Sequence, residues 1–216
     1  MHNTVKNLIY IEELIKSKAN HDKLAQIIAV SKTFPIENIL PLIEHGHIHY
    51  GENRVQEALD KWSDIKLKVG SIKLHLIGKL QTNKVKFALK IFDYIHSLDS
   101  EKLATKISEE QIKQKKKPKI FIQVKIGNED QKSGIIMERL GDFYNFCKNL
   151  NLDIIGTMCI PPNDGNTENY FSEMNKINQE LKFKELSMGM SGDYLVAIKN
   201  NATYVRVGSK IFGNRT

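Results

Sequence analysis

Cysteine is scarce. Cys147 and Cys159 are the only two, with no CxxC spacing and no paired framework, so a disulfide-stapled scaffold is not indicated and a reducing compartment fits. No Pro-, Gly- or Ser-rich stretch and no shift of composition marks a linker, which leaves one domain over 1–216 as the expectation. No run approaches the roughly 18 consecutive apolar residues of a membrane span. The opening Met1-His2-Asn3-Thr4, followed by Lys6, Glu12 and Glu13, lacks the apolar core and small-residue cleavage site of a secretory leader. A cytoplasmic protein without membrane contact is expected. Walker-type and dinucleotide glycine patterns are missing too, so mononucleotide or NAD binding has no support.

With its 13 glycines added, the 41% apolar fraction reaches the roughly 45–50% of ordinary globular chains. The length, 216 residues, lies at the low end of what one α/β barrel needs. The charge is +7, from 32 basic and 25 acidic residues, which raises the question of nucleic acid. The excess is spread along the chain. Its only dense run, Lys113, Lys115, Lys116, Lys117 and Lys119, is broken by Pro118 and precedes Ile120-Phe121-Ile122. A solvated helix-to-strand loop accounts for it, with a polyanion contact as the alternative.

Periodicity organises the chain into strands and helices in alternation. Thr4 can cap a first helix with Val5, Leu8, Ile11 and Ile15 on one face, ending near Asn20. Strands are expected at Ile27–Val30, Ile48–Tyr50, Leu74–Ile77, Tyr94–Ser97, Lys119–Val124, Ile154–Met158, Glu185–Ser187 and Tyr204–Val207. Between them, helices are expected at Ile36–Glu44, Val55–Ile65, Asn83–Lys90, Glu101–Lys113, Ile135–Asn149, Thr167–Leu181 and Tyr194–Lys199, with a short turn after the last strand. Strict alternation implies a parallel sheet, and eight right-handed units can close it into a (β/α)8 TIM barrel with an extra N-terminal helix. A doubly wound open sheet is the alternative. In a barrel, chemistry gathers at the C-terminal ends of the strands, and polar residues stand there in this sequence: Lys32, Gly51-Glu52-Asn53, Gly78-Lys79, Ser187 to Ser191, and Gly208-Ser209.

Several residues at that rim carry chemistry. Lys32, in Ala29-Val30-Ser31-Lys32-Thr33, directly follows an apolar strand; partial desolvation lowers a lysine's pKa and frees the amine to condense with an aldehyde. A lysine that merely snorkels to the surface reads the same way. Gly189, Ser191, Gly192, Gly208 and Ser209 supply small residues beyond strands seven and eight, where barrels hold phosphate on backbone N–H groups, although turns also favour Gly and Ser. Arg206 lies two residues before Gly208 on the same pleated face. If buried it requires a partner, either a heteroaromatic nitrogen or a carboxylate such as Glu52. His45, His47 and His49 alternate, but Gly46 reads as a helix C-cap between two of them and no Cys or carboxylate completes a ligand set, so no metal site is expected.

Taken together, Ala29 to Thr33, Gly51-Glu52-Asn53-Arg54-Val55-Gln56-Glu57, His75-Leu76-Ile77-Gly78-Lys79-Leu80-Gln81-Thr82-Asn83-Lys84, Leu186-Ser187-Met188-Gly189-Met190-Ser191 and Val205 to Gly213 resemble the pyridoxal phosphate homeostasis protein family, a relative of the N-terminal barrel of alanine racemase. Asp130-Gln131-Lys132-Ser133-Gly134 and Gly156-Thr157-Met158 with Pro161 resemble it as well. The resemblance implies pyridoxal 5′-phosphate as cofactor, held as a Schiff base on Lys32. It also implies Arg206 facing the pyridine nitrogen, Ser191, Gly208 and Ser209 around the phosphate, and Asn53 beside the ring. Arg54 stands where the family often has Tyr, and Lys210 where a small residue is common.

The implied role is to bind the cofactor and hand it on to apo-enzymes, buffering a reactive aldehyde and influencing amino-acid and keto-acid balance, without robust catalysis. A monomer is expected. The competing readings are an amino-acid racemase, which shares barrel, lysine and cofactor, and a polyanion-binding module. Racemisation needs an acid/base on each face of the α-carbon. In alanine racemase the second one comes from a C-terminal β-domain of the partner subunit, and this sequence stops at Thr216, so an efficient racemase is not expected.

Overall fold

Short runs of aliphatic residues, each followed by an amphipathic helix, can pair only in parallel, because each helix returns the chain to the same end of the sheet. The computed structural model describes residues 1–18, 24–127 and 133–213, and in it the strands form a closed barrel in chain order. They are β1 (Gln26–Val30), β2 (His49–Glu52), β3 (Lys73–Leu76), β4 (Tyr94–Leu98), β5 (Lys119–Gln123), β6 (Asp153–Met158), β7 (Glu185–Met190) and β8 (Tyr204–Val207). Closure is made by β1 against β8, with Ile27 opposite Val205 and Ala29 opposite Val207, which rules out the open doubly wound sheet.

The helices are α1 (Asn3–Lys18), α2 (Ile36–Glu44), α3 (Val55–Lys68), α4 (Val85–Ile91), α5 (Glu101–Gln114), α6 (Leu140–Asn149), α7 (Thr167–Glu180), α8 (Tyr194–Lys199) and α9 (Ser209–Phe212). Among the described residues, one turn of helix follows β8. The first helix packs against α2, α8 and α9, so it fills the wall where a full eighth helix would otherwise lie. Its buried Val5, Leu8, Ile11 and Ile15 recur at helical spacing, and Asn7 Nδ2 donates to the Ile211 carbonyl at 3.0 Å.

Several boundaries differ from expectation. The start of α1 is capped by His2, whose ring accepts from the Thr4 N–H and whose carbonyl accepts from Val5 and Lys6; Thr4 itself is buried in the helix. The expected end near Asn20 lies outside the described residues. Ile135 does not open a helix. It bridges Val124 beside β5, and α6 begins at Leu140 after a 3-10 turn at Met137–Arg139, because the backbone of Ile135 is bonded to Gln123 and Lys125. Both Gly51 and Glu52 belong to β2 and not to the loop beyond it, and β7 continues to Met190, so Ser187 sits inside the barrel wall.

The lysine run falls at the α5–β5 connection, on the N-terminal side of the strands. Lys115 is left-handed (φ 52°) and ends α5, while Lys116 and Lys117 donate to the Lys90 carbonyl and to Asn151 Oδ1, both at 2.8 Å. Barrel interiors are usually filled by branched aliphatics. Here Ile28, Tyr94, Phe121, Met158 and Tyr204 form an inner cluster separate from the large sheet–helix core. His49, His75, His96, Ser187 and Arg206 are buried with it, in ring contacts and hydrogen bonds.

Candidate functional site

The seam between β8 and β1 determines what meets at the C-terminal rim. A Cβ on Gly208 would lie 3.3 Å from the Val30 carbonyl oxygen, so a residue without a side chain lets the end of β8 lie directly beside the end of β1. Lys32 follows Val30 by two residues, and the register therefore brings Lys32, Arg206 and Gly208 to one stretch of rim. Lys32 is half-buried, whereas Lys79, Lys84 and Lys210 are exposed.

The turn bearing Lys32 is held from both sides. Ser31 N–H donates to the Gly51 carbonyl and Ser31 Oγ to Glu52 Oε1 at 2.8 Å. Thr33, left-handed at φ 67°, donates its N–H to Glu57 Oε1 at 2.6 Å. Lys61 Nζ ties these supports together, at 3.0 Å from both carboxylates and 2.9 Å from the Ser31 carbonyl. Trp62 Nε1 adds a third bond to Glu52 Oε1. Burial is the dominant influence on Glu52 and raises its pKa, with Trp62, Lys61 and Ser31 opposing it.

Asn53 follows β2 at the neighbouring position of the rim. Its Oδ1 is buried without a hydrogen-bond partner. A Cβ on Gly78 would strike the Asn53 carbonyl oxygen, so Gly78 permits the ends of β2 and β3 to approach. Beyond β7 and β8, the Gly208 N–H donates to Ser191 Oγ at 3.1 Å. Ser209 begins α9, whose opening N–H groups lie outside the helix's own bonding.

Arg206 is 4% exposed and donates from Nη1 to Ser187 Oγ at 2.8 Å and from Nη2 to the Cys159 carbonyl at 2.9 Å. The carboxylate alternative fails: Glu52 is engaged by Ser31, Lys61 and Trp62, and among the described residues no carboxylate forms an ion pair with Arg206. Its hydrogen bonds thus go to neutral oxygens, and Asp193 favours its charge only through space. Burial pushes both thiols, Cys147 and Cys159, up to about 12, so neither is a nucleophile at neutral pH.

The three alternating histidines diverge. His45 ends α2, His47 Nε2 lies 2.9 Å from the His49 carbonyl, and His49 turns into the barrel. His75, which opens the His75 to Lys84 motif, and His96 also point inward, although local sequence assigns neither a role. Their signal was a histidine at an alternating position of an apolar strand, in Leu74-His75-Leu76 and Ile95-His96-Ser97. The motif residues Asp130, Gln131 and Lys132 lie outside the described residues, while Gly134, at φ 142°, lies where a Cβ would strike the Lys125 N.

The barrel belongs to the class described as the alanine racemase N-terminal domain, whose family model matches residues 11–216. Alanine racemase of Clostridium difficile superposes with a TM-score of 0.72 at 16% identity, covering 99% of this chain and 57% of its own, a likeness of fold. Nearer matches define the family. The pyridoxal phosphate homeostasis protein of Aquifex aeolicus is 37% identical, over 95% of this chain and 93% of its own, and that of Escherichia coli K12 is 31% identical over 100% and 98%. PipY of Synechococcus elongatus, solved with pyridoxal phosphate bound, superposes with a TM-score of 0.87 at 32% identity, covering 97% of this chain and all of its own. The chain belongs to the pyridoxal phosphate homeostasis protein family.

Proposed function

We propose that this protein binds pyridoxal 5′-phosphate on Lys32 and serves in its intracellular supply, as a cytoplasmic, monomeric carrier acting over 1–216 as one barrel. The observation that carries this reading is the β8–β1 seam, which brings together a half-buried lysine and a buried arginine hydrogen-bonded to neutral oxygens. The residues present fit the cofactor. Asn53 Oδ1 is a buried acceptor still without a donor, and Arg206 has more N–H donors than its two bonds use.

When bound, the cofactor supplies an aldehyde that a lysine amine joins as a Schiff base with loss of water, reversibly. Lys32 would make that bond, on a turn fixed by Glu52, Glu57 and Lys61. Arg206 would face the ring nitrogen. A guanidinium stays protonated and can only donate, so it keeps the atom opposite it an acceptor without a proton. Ser191 Oγ accepts from the Gly208 N–H, so its own proton would be available to donate to a phosphate held together with the Ser209 backbone. Asn53 would lie beside the ring.

Binding and hand-over to apo-enzymes would use reversible attachment; Arg206 does not by itself separate this reading from a racemase, which is distinguished by its need for an acid/base on each face of the α-carbon. The test is the visible spectrum of protein mixed with the cofactor, beside Lys32→Ala and beside pyridoxal without phosphate. A band that is absent in the variant, with pyridoxal binding far more weakly, is the expected result. A band retained in Lys32→Ala, or equal affinity for both aldehydes, would contradict it. Rapid α-proton exchange of amino acids by the loaded protein, lost in Lys32→Ala, would support the racemase reading instead.

A further inference from the structure

A line of buried side chains crosses the barrel interior and ends on Arg206. His49 Nδ1 lies 2.9 Å from His75 Nε2, His75 Nδ1 lies 2.9 Å from His96 Nε2, and His96 Nδ1 lies 3.0 Å from Ser187 Oγ. That hydroxyl accepts from Arg206 Nη1 at 2.8 Å. None of the five residues is more than 7% exposed. In register the line climbs toward the strand C-termini: His75 stands opposite Gly51, two residues past His49, and opposite Tyr94, two residues before His96. Aromatic faces hold the rings in place, His75 stacked on Tyr94 at 4.1 Å and His96 on Phe121 at 4.2 Å.

The donors and acceptors of this line are not free to arrange themselves. A neutral imidazole has one N–H and one bare nitrogen, a hydroxyl has one proton and two lone pairs, and a guanidinium only donates. Arg206 fills one lone pair of Ser187. If Ser187 then donates to His96 Nδ1, His96 must carry its proton on Nε2 and donate to His75, and His75 must do the same toward His49. Every polar atom from Arg206 to His49 Nδ1 is then used once. In the opposite pattern Ser187 receives two donors, one of them cationic, and its own proton has no acceptor in the line. The neutrality this needs is supplied by the surroundings. Burial foremost, with Lys73 and Lys119 near His49, Lys66 and the other rings near His75, and Arg206 near His96, holds the three imidazoles below their ordinary pKa, and Asp93 alone opposes this at His49.

We propose that His96, His75 and His49 are positioning residues for Arg206, a polarised relay that fixes the Ser187 hydroxyl as acceptor from the guanidinium and so sets how that guanidinium meets the cofactor ring. The relay rests on the assignment of Arg206 to the ring, but its existence can be measured in cofactor-free protein. Histidine-labelled protein is examined by 15N NMR for the tautomer of each ring. Wild type is expected to show His75 and His96 protonated on Nε2. In His49→Phe the His75 Nε2–H, fixed in direction by its ring, loses its acceptor; reversal passes the unpaired donor to the Ser187 hydroxyl, which can rotate to an acceptor outside the line, so the line is expected to reverse, moving the proton of His96 to Nδ1 two links away. His49→Gln returns a carbonyl acceptor and is expected to restore the wild-type tautomers.

In the loaded protein, His49→Phe is expected to shift the cofactor absorption maximum and to weaken binding about ten-fold, and His49→Gln to recover both. A ring at the far end that merely packs would move neither the tautomer of His96 nor the spectrum. His96 found on Nδ1 in wild type, or unchanged in a folded His49→Phe, overturns the relay. Should His49→Phe not fold, the wild-type and His49→Gln tautomers alone decide. Reversal of the tautomers in a protein that takes up no cofactor at Lys32 would leave the hydrogen-bonded line standing and overturn its role toward the cofactor.

Discussion

Taking the protein from pH 7 to pH 5 is expected to remove about 5 kcal/mol of its stability, through the three histidines inside the barrel. His49 is held down to about 4 and His75 and His96 well below their ordinary range, chiefly because burial disfavours the charged ring. A group depressed by folding binds fewer protons in the native than in the unfolded chain. Its contribution is therefore complete above the unfolded value, near 6.5, and is lost as the pH falls toward the folded one. One pH unit in that window costs about 1.4 kcal/mol per histidine, so each loses about 2 kcal/mol by pH 5. Three would lose about 6, reduced somewhat because His49 is the least buried.

Against a typical stability of roughly 5–15 kcal/mol this is enough to bring the chain near unfolding while most carboxylates are still ionised. Glu52 and Glu12 work the other way, since burial raises both and makes the fold more favourable on acidification, but His47, also held down to about 4 chiefly by burial, adds to the loss. Urea melts at pH 7.5, 6.5, 5.5 and 5, followed by the fluorescence of the single, fully buried Trp62, measure the effect. A His49→Phe variant should show a shallower fall. Equal midpoints at pH 7.5 and 5, or NMR titration of His75 and His96 near 6.5, would refute the reasoning.

Three further outcomes are expected. Glu52→Leu strips the acceptor from Ser31, Lys61 and Trp62 and should cost about 3–5 kcal/mol, whereas Glu52→Gln should cost less, with its deficit narrowing as pH rises because the amide lacks the buried charge; equal losses in urea melts of both variants would contradict this. Gly156→Ala places a Cβ against the Glu185 carbonyl oxygen of β7 and should abolish soluble folded protein, while Gly70→Ala, with open space around it, should leave circular dichroism and melting unchanged. Ile11→Ala, in the helix that completes the barrel wall, should lower stability by about 2–5 kcal/mol; a loss below about 1 kcal/mol would show that α1 is dispensable to the wall.

The barrel was legible because eight apolar strand runs alternate with helical periodicity, and five of them carry polar residues at or just past the C-terminal end. Strand order places Lys32, Asn53, Ser191, Arg206, Gly208 and Ser209 toward one end of the barrel, while their roles toward a cofactor were implied by the family resemblance. What the sequence obscured lies across the sheet. Ser187 read as the end of a strand and not its middle, because Gly189 and Ser191 mimic turn chemistry. The supports of Arg206 come from β6 and β7, and those of the Lys32 turn from β2 and α3, at separations no local pattern reveals. The histidine line was hidden because its members are single residues on β2, β3 and β4, and only the register aligns them. The helix expected from Ile135 failed because its apolar residues fit either period, and the bridge to Val124 decided between them.

The central claim is that Lys32 carries the cofactor, and chemical trapping tests it most directly. Protein loaded with pyridoxal 5′-phosphate is reduced with borohydride, which makes the attachment permanent, and is then digested and mapped by mass spectrometry. The pyridoxyl group is expected on the peptide containing Lys32, close to one per chain, and nowhere above background in Lys32→Ala. Recovery chiefly on the exposed Lys79, Lys84 or Lys210 would contradict the assignment.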